Sequence, residues 1–475
     1  RKKEMTRQQK IRTAYVLTDF ITANIAFLLF DICRYFLIEF AQFNSHFYNF
    51  LTNSKILLEQ GLFPLVVLGV YAISGFYNDP ERRSRITELI TTFLSAAVVS
   101  LLIYFSLMIN DIGLVKVAHY KFLAILFGLF FIITYLGRYI ITTRLFRSIR
   151  RGNVRFNTVI IGNSQRSRKV AQQLIRTQSL YGYNIIGFVP VVGESTGYGD
   201  VPLLSIDDLK RLVAEGAISD VIIALEQEDN EQTVLAVMNR LFDLDISIKV
   251  AAGSFSYLTS GIRLQDIYGE PLLEVSRSQL SECSRNLKRL GDIVVAGLSL
   301  ILLLPVMSVV ALAIKLDSKG PVFYHQERIG YRRRPFKIHK FRTMVAEAEP
   351  NGPQLSSEND MRITHIGRFL RKYRIDEIPQ FWNVLKGEMA FVGPRPERAY
   401  YIEKIIRVAP YYTLLQQVRP GLTSWGMVKF GYATTVEEMV ERSKYDLIYI
   451  GNMSLTVDVK ILIYTIRTVL TGKGM

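Results

Sequence analysis

Cysteine is scarce. Two residues, Cys33 and Cys283, stand far apart in a chain of 475, which speaks against a disulfide framework and against a cysteine-built metal cluster. Acidic residues are outnumbered: 42 Asp and Glu face 58 Lys and Arg, a net charge of +16. That imbalance points to an anionic partner, whether nucleic acid, an anionic membrane face or a phosphorylated substrate. Apolar residues make up 49% of the chain, which favours a membrane over nucleic acid. No cleavable signal pattern is expected from the first residues. The length suits two or three domains.

What is present first is a series of long apolar runs. Four of them, at 11–40, 58–76, 89–109 and 122–143, each approach the roughly 20 residues that span hydrocarbon. Basic residues flank them unevenly. Arg1, Lys2, Lys3, Arg7, Lys10 and Arg12 precede the first run. Arg82, Arg83 and Arg85 lie between the second and third, and Arg144, Arg147, Arg150 and Arg151 follow the fourth. Positive-inside counting puts both ends of this bundle in the cytoplasm. Asp19, Asp31 and Arg34 fall inside the first run; Asp31 and Arg34 are spaced to pair on a helix, and Asp19 is expected near the inner interface. An anchor, a lipid-facing scaffold and part of an export path all remain open for the bundle.

From Arg155 the pattern alternates strands with helices. Strands are predicted at 158–162, 184–189, 220–225 and 247–251, with helices at 167–177, 206–215 and 231–244. Such alternation implies a parallel, doubly wound sheet. The turn after its first strand, Gly162-Asn163-Ser164-Gln165-Arg166-Ser167, lacks the second and third glycines of a dinucleotide fingerprint. The acidic ribose ligand is missing as well, since Val189-Pro190 stands in its place. This is a Rossmann-like domain with a degraded site, regulatory or structural in role.

A weakly patterned connector leads to Lys288-Arg289 and an apolar run at 293–314 interrupted by Pro305. Length alone predicts a transmembrane helix. Basic residues on both flanks favour the same side of the membrane for each, and a mid-run proline removes a helix hydrogen bond and forces a kink. A crossing would also carry any phosphate chemistry away from cytosolic nucleotides. A re-entrant helical hairpin over 288–316, broken at Pro305, satisfies all three.

The chemistry concentrates in Arg371–Pro396. An adjacent pair, Asp376 and Glu377, precedes Pro379, which reads as the first position of a helix that Gly387 ends. Arg371, Lys372 and Arg374 lie before the pair, and Arg395 lies after it between two prolines that stiffen its backbone. Carboxylates ringed by guanidinium groups near a helix N-terminus suit a metal–phosphate site. The plain alternative is a solvated helix start with N-terminal acids.

The string Arg371-x4-Asp376-Glu377-x-Pro379-Gln380-x-x-Asn383-Val384-Leu385-Lys386-Gly387-Glu388-Met389, followed by Val392-Gly393-Pro394-Arg395-Pro396, resembles the bacterial sugar transferase family, the monotopic phosphoglycosyl transferases. Further matches are Asp317-Ser318-x-Gly320-Pro321-Val322-Phe323, Gln326-x-Arg328-x-Gly330 and Phe336-Lys337-x-x-Lys340-Phe341-Arg342-Thr343-Met344. Downstream follow Arg419-Pro420-Gly421-Leu422-Thr423 and Tyr445-Asp446. The resemblance covers about the last 190 residues, and its many ordered motifs make it specific. It implies transfer of a sugar 1-phosphate from a UDP-sugar to a polyprenyl phosphate, with release of UMP and a covalent Asp-phosphosugar intermediate. By the same resemblance Asp376 is the nucleophile. Glu377, pointing about 100° away, is the Mg²⁺ ligand. Arg371 and Arg395 are the first candidates to hold phosphate, with Lys340 and Arg342 behind them. His339 reads as structural. Phe381, Trp382 and Trp425 suit either the bilayer interface or the core.

The resemblance also implies a place at the cytoplasmic face of the bacterial inner membrane, at the start of a capsule, exopolysaccharide or O-antigen. Expected partners are the UDP-sugar, polyprenyl phosphate, the lipid bilayer, downstream glycosyltransferases and a second copy in a homodimer, with no nucleic acid. This chain departs from the family's usual pattern at Arg374-Ile375, at Leu304 before Pro305 and at Ser424-Trp425-Gly426-Met427; the last change leaves the sugar open. The expected fold class is membrane α plus α/β. It comprises a four-helix transmembrane bundle (1–150), a Rossmann-like parallel-sheet domain (151–270), a connector (271–285) and a monotopic α/β catalytic domain (286–475) with the re-entrant hairpin. Two rival functions remain: a membrane-anchored NAD-dependent nucleotide-sugar epimerase or dehydratase, and a non-catalytic assembly scaffold.

Overall fold

A computed structural model describes residues 7–36, 46–78, 80–110, 119–162, 164–178, 182–191, 201–225, 237, 240–241, 244, 246–251, 272–274, 280–345, 354, 360–431 and 433–470. The chain divides into two compact units, residues 1–154 with 285–287, and residues 155–284 with 288–475.

The first unit is helical. Its long elements are α1 (Arg7–Arg34), α2 (Ser54–Ile73), α3 (Arg85–Asn110) and α4 (His119–Arg150), one for each apolar run. Each is long and apolar enough to cross a membrane. Phe27, Phe63, Val67, Tyr71, Leu126 and Phe130 interlock as its core, while Leu58, Leu62, Leu102, Phe105, Leu136 and Ile140 stay exposed. An apolar outer face of this extent fits lipid better than water. Asp31 lies 4.0 Å from Arg34, the pairing predicted from helical spacing, and Glu59 lies 3.7 Å from the same guanidinium. Asp19, expected near the inner interface, is fully buried within the bundle and accepts a two-pronged bond from Arg138, Nε at 2.9 Å and Nη2 at 2.7 Å.

The second unit opens with a five-stranded sheet in the order β2-β1-β3-β4-β5. Its strands are β1 (Phe156–Ile161), β2 (Tyr183–Val189), β3 (Asp220–Ile223), β4 (Ser247–Ala251) and β5 (Leu272–Glu274). The first four pair in parallel, and β5 runs antiparallel to β4. Buried runs such as Val159-Ile160-Ile161 are what a sheet covered on both faces requires. Helices α5 (Gln165–Arg176) and α6 (Ile206–Ala214) each begin at a serine capping box, Ser164 with Ser167 and Ser205 with Asp208. The predicted helix at 231–244 lies largely outside the described residues. The predicted connector needs correcting: residues 272–274, assigned to it, form the sheet's edge strand.

Gly162 takes φ +112, and a Cβ there would meet the Ala224 carbonyl at 2.5 Å and Ser167 Oγ at 2.8 Å. Ser167, at the position of the missing third glycine, donates its hydroxyl to that carbonyl at 2.7 Å. That bond ties the first turn of α5 to the chain just past β3, at the place where a third glycine would serve close helix–strand packing.

The rest of the unit begins with α7 (Glu282–Asp317), one helix of 36 residues that runs continuously through Pro305. The structure thus shows no two-helix hairpin with a separate turn. Its ends are tied down and its middle is bare. Arg289 donates to the Val384 and Leu385 carbonyls at 2.6 and 2.8 Å, and Lys288 to Asp458 at 2.5 Å. The basic flank expected to mark membrane topology is thus also a docking device. Ala296 packs in one core with Ile338, while Val310 and Ile314 pack in another with Phe341. Between them Ile301 and Leu302 are 75% and 78% exposed. Ser308 donates to the Leu304 carbonyl at 3.0 Å, a back-bond that favours bending but leaves the acceptor freed by Pro305 untouched.

A hairpin follows, β6 (Phe323–Ile329) antiparallel to β7 (Pro335–Phe341). Then come α8 (His365–Lys372), a 3₁₀ segment Ile375–Gln380, α9 (Phe381–Lys386), β8 (Ala390–Val392), α10 (Ala399–Val408), β9 (Gly421–Thr423), α11 (Val436–Gly451) and α12 (Leu455–Leu470). Strands β8 and β9 pair in parallel. They come so close that a Cβ on Gly421 would lie 2.1 Å from the Gly393 nitrogen. Only glycine fits this approach, which sets the direction in which the chain carries Arg395 away from β8.

Candidate active site

The acidic pair sits one turn earlier in regular structure than the sequence suggests. Pro379 is not at the start of a helix but inside the 3₁₀ segment Ile375–Gln380, whose first turn holds Asp376 and Glu377. Gly387 ends α9 with φ +87, as expected. Helix α9 has only six residues, so its dipole contributes little and the positive field comes from side chains. Arg374, just before the segment, adopts a left-handed backbone at φ 58, a conformation that L-residues avoid and that recurs at functional sites.

Asp376 and Glu377 are 7% and 8% exposed. Glu377 receives Lys340 Nζ from β7 at 2.8 Å on one oxygen and the Arg374 guanidinium at 3.0 Å on the other. Burial pushes its carboxyl up, but Lys340, Arg374 and Arg395 together overcome this and hold it well below the usual range. Asp376 moves the opposite way. Burial raises it, Glu377 adds to the rise, and Lys340, Arg371 and Arg374 only partly offset it. Its Oδ1 is buried and has no hydrogen-bond partner. Few buried oxygens in a folded protein are left so.

The structure also sorts the basic candidates. Lys340, Arg371 and Arg395 all act on the pair: Arg371 on Asp376, Arg395 on Glu377 and Lys340 on both. Arg371 Nε also donates to Thr343 Oγ1 at 2.9 Å. Arg342 faces elsewhere. Its guanidinium donates to the Lys319 and Ser318 carbonyls at 2.9 and 2.8 Å, which fixes the chain just past α7. The pattern placed Arg342 beside Lys340, but β7 ends at Phe341, and Arg342, just past it, turns its guanidinium to the Ser318 and Lys319 carbonyls. His339 pairs with His325, Nδ1 to Nδ1 at 2.8 Å. Phe381 and Trp425 pack in the core, whereas Trp382 is half exposed.

Residues 283–472 match the family model described as bacterial sugar transferase. A UDP-galactose-lipid carrier transferase of Erwinia amylovora is 31% identical over 337 residues, 67% of this chain and 69% of that protein. The chain belongs to the bacterial sugar transferase family. A UDP-N-acetylgalactosamine-undecaprenyl-phosphate N-acetylgalactosaminephosphotransferase of Aeromonas hydrophila is 44% identical over 188 residues, 40% of this chain and 44% of that one. A UDP-glucose:undecaprenyl-phosphate glucose-1-phosphate transferase of Escherichia coli (strain K12) is 33% identical over 313 residues, 65% and 66% of the two chains. The alignment spans less than two thirds of each of these last two relatives. Residues 72–252 match a second family model, described as CoA-binding domain.

In this family member a layer of support behind Arg395, built on Glu397, escaped the sequence reading. Glu397 accepts Arg442 at 2.6 Å and Arg328 at 3.1 Å, and lies 3.9 Å from Arg395. Burial opposes its charge, but Arg442, Arg328 and Arg395 keep it ionised below the usual range. Asp446 accepts the Gly426 N–H at 2.8 Å, and burial pushes its carboxyl up to about 6 against bonds from Gly426, Ser424 and the Arg395 backbone. The available signal was an acid directly after Arg395-Pro396 in a strongly basic stretch. Gln380 and Gln416 were also passed over; both are buried with amide atoms lacking partners.

For Mg²⁺, the open Oδ1 of Asp376 suits a cation with a preference for one or two carboxylates plus substrate phosphates. Both Glu377 oxygens already face cations. Among the described residues no group of three or more His, Cys, Asp or Glu is placed around a metal ion.

Proposed function

We propose that this family member transfers a sugar 1-phosphate from a UDP-sugar to a polyprenyl phosphate. Asp376 attacks the phosphorus bonded to the sugar oxygen. The new bond is carboxylate oxygen to phosphorus, the bond to the UMP phosphate oxygen breaks, and UMP leaves. The polyprenyl phosphate oxygen then displaces Asp376 and carries the phosphosugar away as a diphosphate, which splits one hard displacement into two. The observation that carries this reading is one buried carboxylate with an unpartnered oxygen, surrounded by Lys340, Arg371 and Arg374, with Arg395 beside Glu377.

No dedicated base is required, because both attacking groups are anionic near pH 7. Lys340, Arg371 and Arg395 hold the donor's phosphates and offset charge that grows on the transferring group. Glu377 positions Lys340 and Arg374, and the acidic pair would hold Mg²⁺ against the donor's phosphates. The metal, when bound, neutralises diphosphate charge. Arg342 is left out of this set, because both its Nη groups are bonded to Ser318 and Lys319.

The membrane arrangement belongs to the same proposal. Helices α1–α4 form a four-helix transmembrane bundle in the bacterial inner membrane, and α7 enters one leaflet and returns. A bend near Pro305, with the bare apolar stretch around Ile301 and Leu302 at its apex, lets both ends of α7 keep their core packing. The dyad then works at the cytoplasmic face, where UDP-sugar and lipid phosphate meet. The Rossmann-like sheet is structural or regulatory, since Ser164 and Ser167 stand where a dinucleotide fingerprint has its second and third glycines; this also counts against an NAD-dependent epimerase. The lipid-linked sugar is the starting point for downstream glycosyltransferases building a capsule, exopolysaccharide or O-antigen.

The test incubates purified protein with radiolabelled UDP-sugars, Mg²⁺ and polyprenyl phosphate. UMP release and lipid labelling are expected from the wild type and absent from Asp376→Asn. Transfer that survives Asp376→Asn would remove the nucleophile assignment.

A further inference from the structure

Two histidines on the β6–β7 hairpin have no place in the transfer proposed above. His325 and His339 stand directly opposite each other across the antiparallel pair. Their rings meet edge to face, 4.7 Å between centres and 84° apart, with Nδ1 at 2.8 Å from Nδ1. Directly opposed residues keep their Cβ atoms about 5 Å apart, so the two backbones fix this approach. Alternation along β7 sends Ile338 and Lys340 to one face and His339 to the other. Ile338 lies in the core and Lys340 meets the dyad, whereas His325, across from His339, is exposed. The strand is anchored at the same residue: the His339 N–H donates to Asn383 Oδ1 at 3.1 Å, and Asn383 donates to the Lys337 carbonyl at 2.7 Å.

Only one proton fits between the two Nδ1 atoms, because a second would set two N–H groups against each other. Burial, His325 and Lys386 together keep the His339 imidazole below its ordinary range, against the pull of Glu388. At pH 7 this ring is therefore neutral, the form that binds metals. With bonds of about 2.05 Å, two imidazole nitrogens at neighbouring corners of a tetragonal ion lie about 2.9 Å apart, and on a tetrahedral ion about 3.3 Å apart. The 2.8 Å separation fits the first without movement of the strands. A turn of each ring about its last torsion, which is broad for imidazole, aims both lone pairs at one ion. We infer that His325 and His339 form a site for a divalent transition metal that prefers imidazole, Cu²⁺ or Ni²⁺ before Zn²⁺, with water in the remaining positions. The ring that holds its proton at Nδ1 moves it to Nε2 through solvent, so binding releases no net proton. Glu388, near enough to act on His339, offsets part of the ion's charge, as carboxylates around ligating histidines commonly do. Mg²⁺ does not compete, since it takes oxygen ligands. The bound ion ties β6 to the strand that carries Lys340, on the face turned away from the dyad.

The probes are nickel chloride and copper(II) chloride, added to the untagged full-length protein in detergent with Mg²⁺ present throughout. Calorimetry should show one Ni²⁺ bound per chain, and the ion should raise the melting temperature. His325→Ala and His339→Ala should each weaken Ni²⁺ binding by about tenfold or more. His365→Ala, which removes an exposed histidine of α8, should leave it unchanged. Electron paramagnetic resonance of the Cu²⁺ form should show two nitrogen ligands in wild type and one in each single variant. Binding should fade below about pH 6, as the imidazoles take up protons. Without added transition metal, His325→Ala should melt close to wild type and release UMP at the wild-type rate, which separates loss of the ion from loss of fold. His325→Gln and His339→Gln, which keep a polar side chain, repeat the measurement if an alanine variant melts early. Ni²⁺ binding that is missing from wild type, or that survives both single substitutions, overturns the inference. A Cu²⁺ spectrum of wild type without two nitrogen ligands does the same.

Discussion

Asp19 and Arg138 in the helical unit are both fully buried, and so nearly are Asp376 and Glu377 in the second unit, but the two clusters are finished differently. Both oxygens of Asp19 are bonded to Arg138, one of them also to Tyr77 at 2.7 Å, and Arg138 reaches Thr92 at 2.8 Å. The guanidinium also lies over the Phe76 ring, 3.5 Å from its centre. At the other site Glu377 is equally well held, yet its neighbour Asp376 keeps an oxygen with no partner. Buried charge by itself is therefore a poor guide to chemistry. A closed network holds a structure in register, whereas an open valence beside unbalanced positive charge is arranged for something that arrives later.

The sharpest way to break this contrast is to neutralise one acid in each cluster. Asp376→Asn should reduce UMP release by at least about a thousandfold, since it removes the nucleophile, without lowering the melting temperature, since a destabilised buried charge goes with it. Asp19→Asn should do the reverse. Leaving Arg138 buried with one partner fewer should cost about 3–5 kcal/mol, read as a large fall in thermal stability in detergent. The molecules that stay folded should transfer at the wild-type rate. If Asp19→Asn lost activity without losing stability, the closed cluster would need a role of its own.

A smaller effect separates Lys340 of β7 from Arg342 just past its end. Arg342→Ala strips donors from two carbonyls and should cost about 2–3 kcal/mol of stability, with UMP release per folded molecule within about threefold of wild type. Lys340→Ala should instead lower kcat by roughly a hundredfold with less effect on melting. An Arg342 variant that melts normally and fails to turn over would return that residue to the phosphate site.

pH acts on the same contrast with opposite signs. Glu377 and Glu397 are held below the usual carboxylate range, so their contributions to stability are present above about pH 4.3 and are lost as pH falls through their folded values. Asp376 and Asp446 are raised, so their ionised forms cost stability at high pH, and protonation relieves that cost. For Asp446, pushed up to about 6, Asp446→Asn should melt a few degrees above wild type at pH 8, with the gap closing by pH 5. Attack requires ionised Asp376. The acid limb of kcat/KM should therefore lie above the range of an ordinary aspartate, near 3.9, and transfer should fade while the fold persists.

Periodic features were the legible ones. Four apolar runs gave four helices, β–α alternation gave the parallel sheet, and Gly387 marked a helix end, because each depends on local rules. The order of the dyad motif was enough to find Asp376 and Glu377. What stayed hidden depends on distant partners: Arg138 against Asp19 is 119 residues away, Arg442 against Glu397 is 45 away, and neither separation leaves a mark in sequence. Arg342 misled because its partners, the Ser318 and Lys319 carbonyls, lie 24 and 23 residues back in the chain. Pro379 misled because a 3₁₀ turn and a helix start accept proline equally well.

The smallest expected effect concerns a site closed in the opposite sense. Ser167 caps α5, accepts the Ser164 N–H at 3.1 Å and donates to the Ala224 carbonyl at 2.7 Å. Ser167→Ala should cost about 1 kcal/mol and leave UMP release unchanged. It should not create affinity for NAD or CoA in calorimetry, since the second glycine and the acidic ribose ligand are still missing. Asp376 has an oxygen awaiting a partner; the Ser167 hydroxyl is spent within the fold, accepting from Ser164 and donating to Ala224. If wild type bound CoA or NAD with useful affinity and Ser167→Ala strengthened it, the hydroxyl would be a gate over a working nucleotide site, and the sheet would join the dyad as an open region of this transferase.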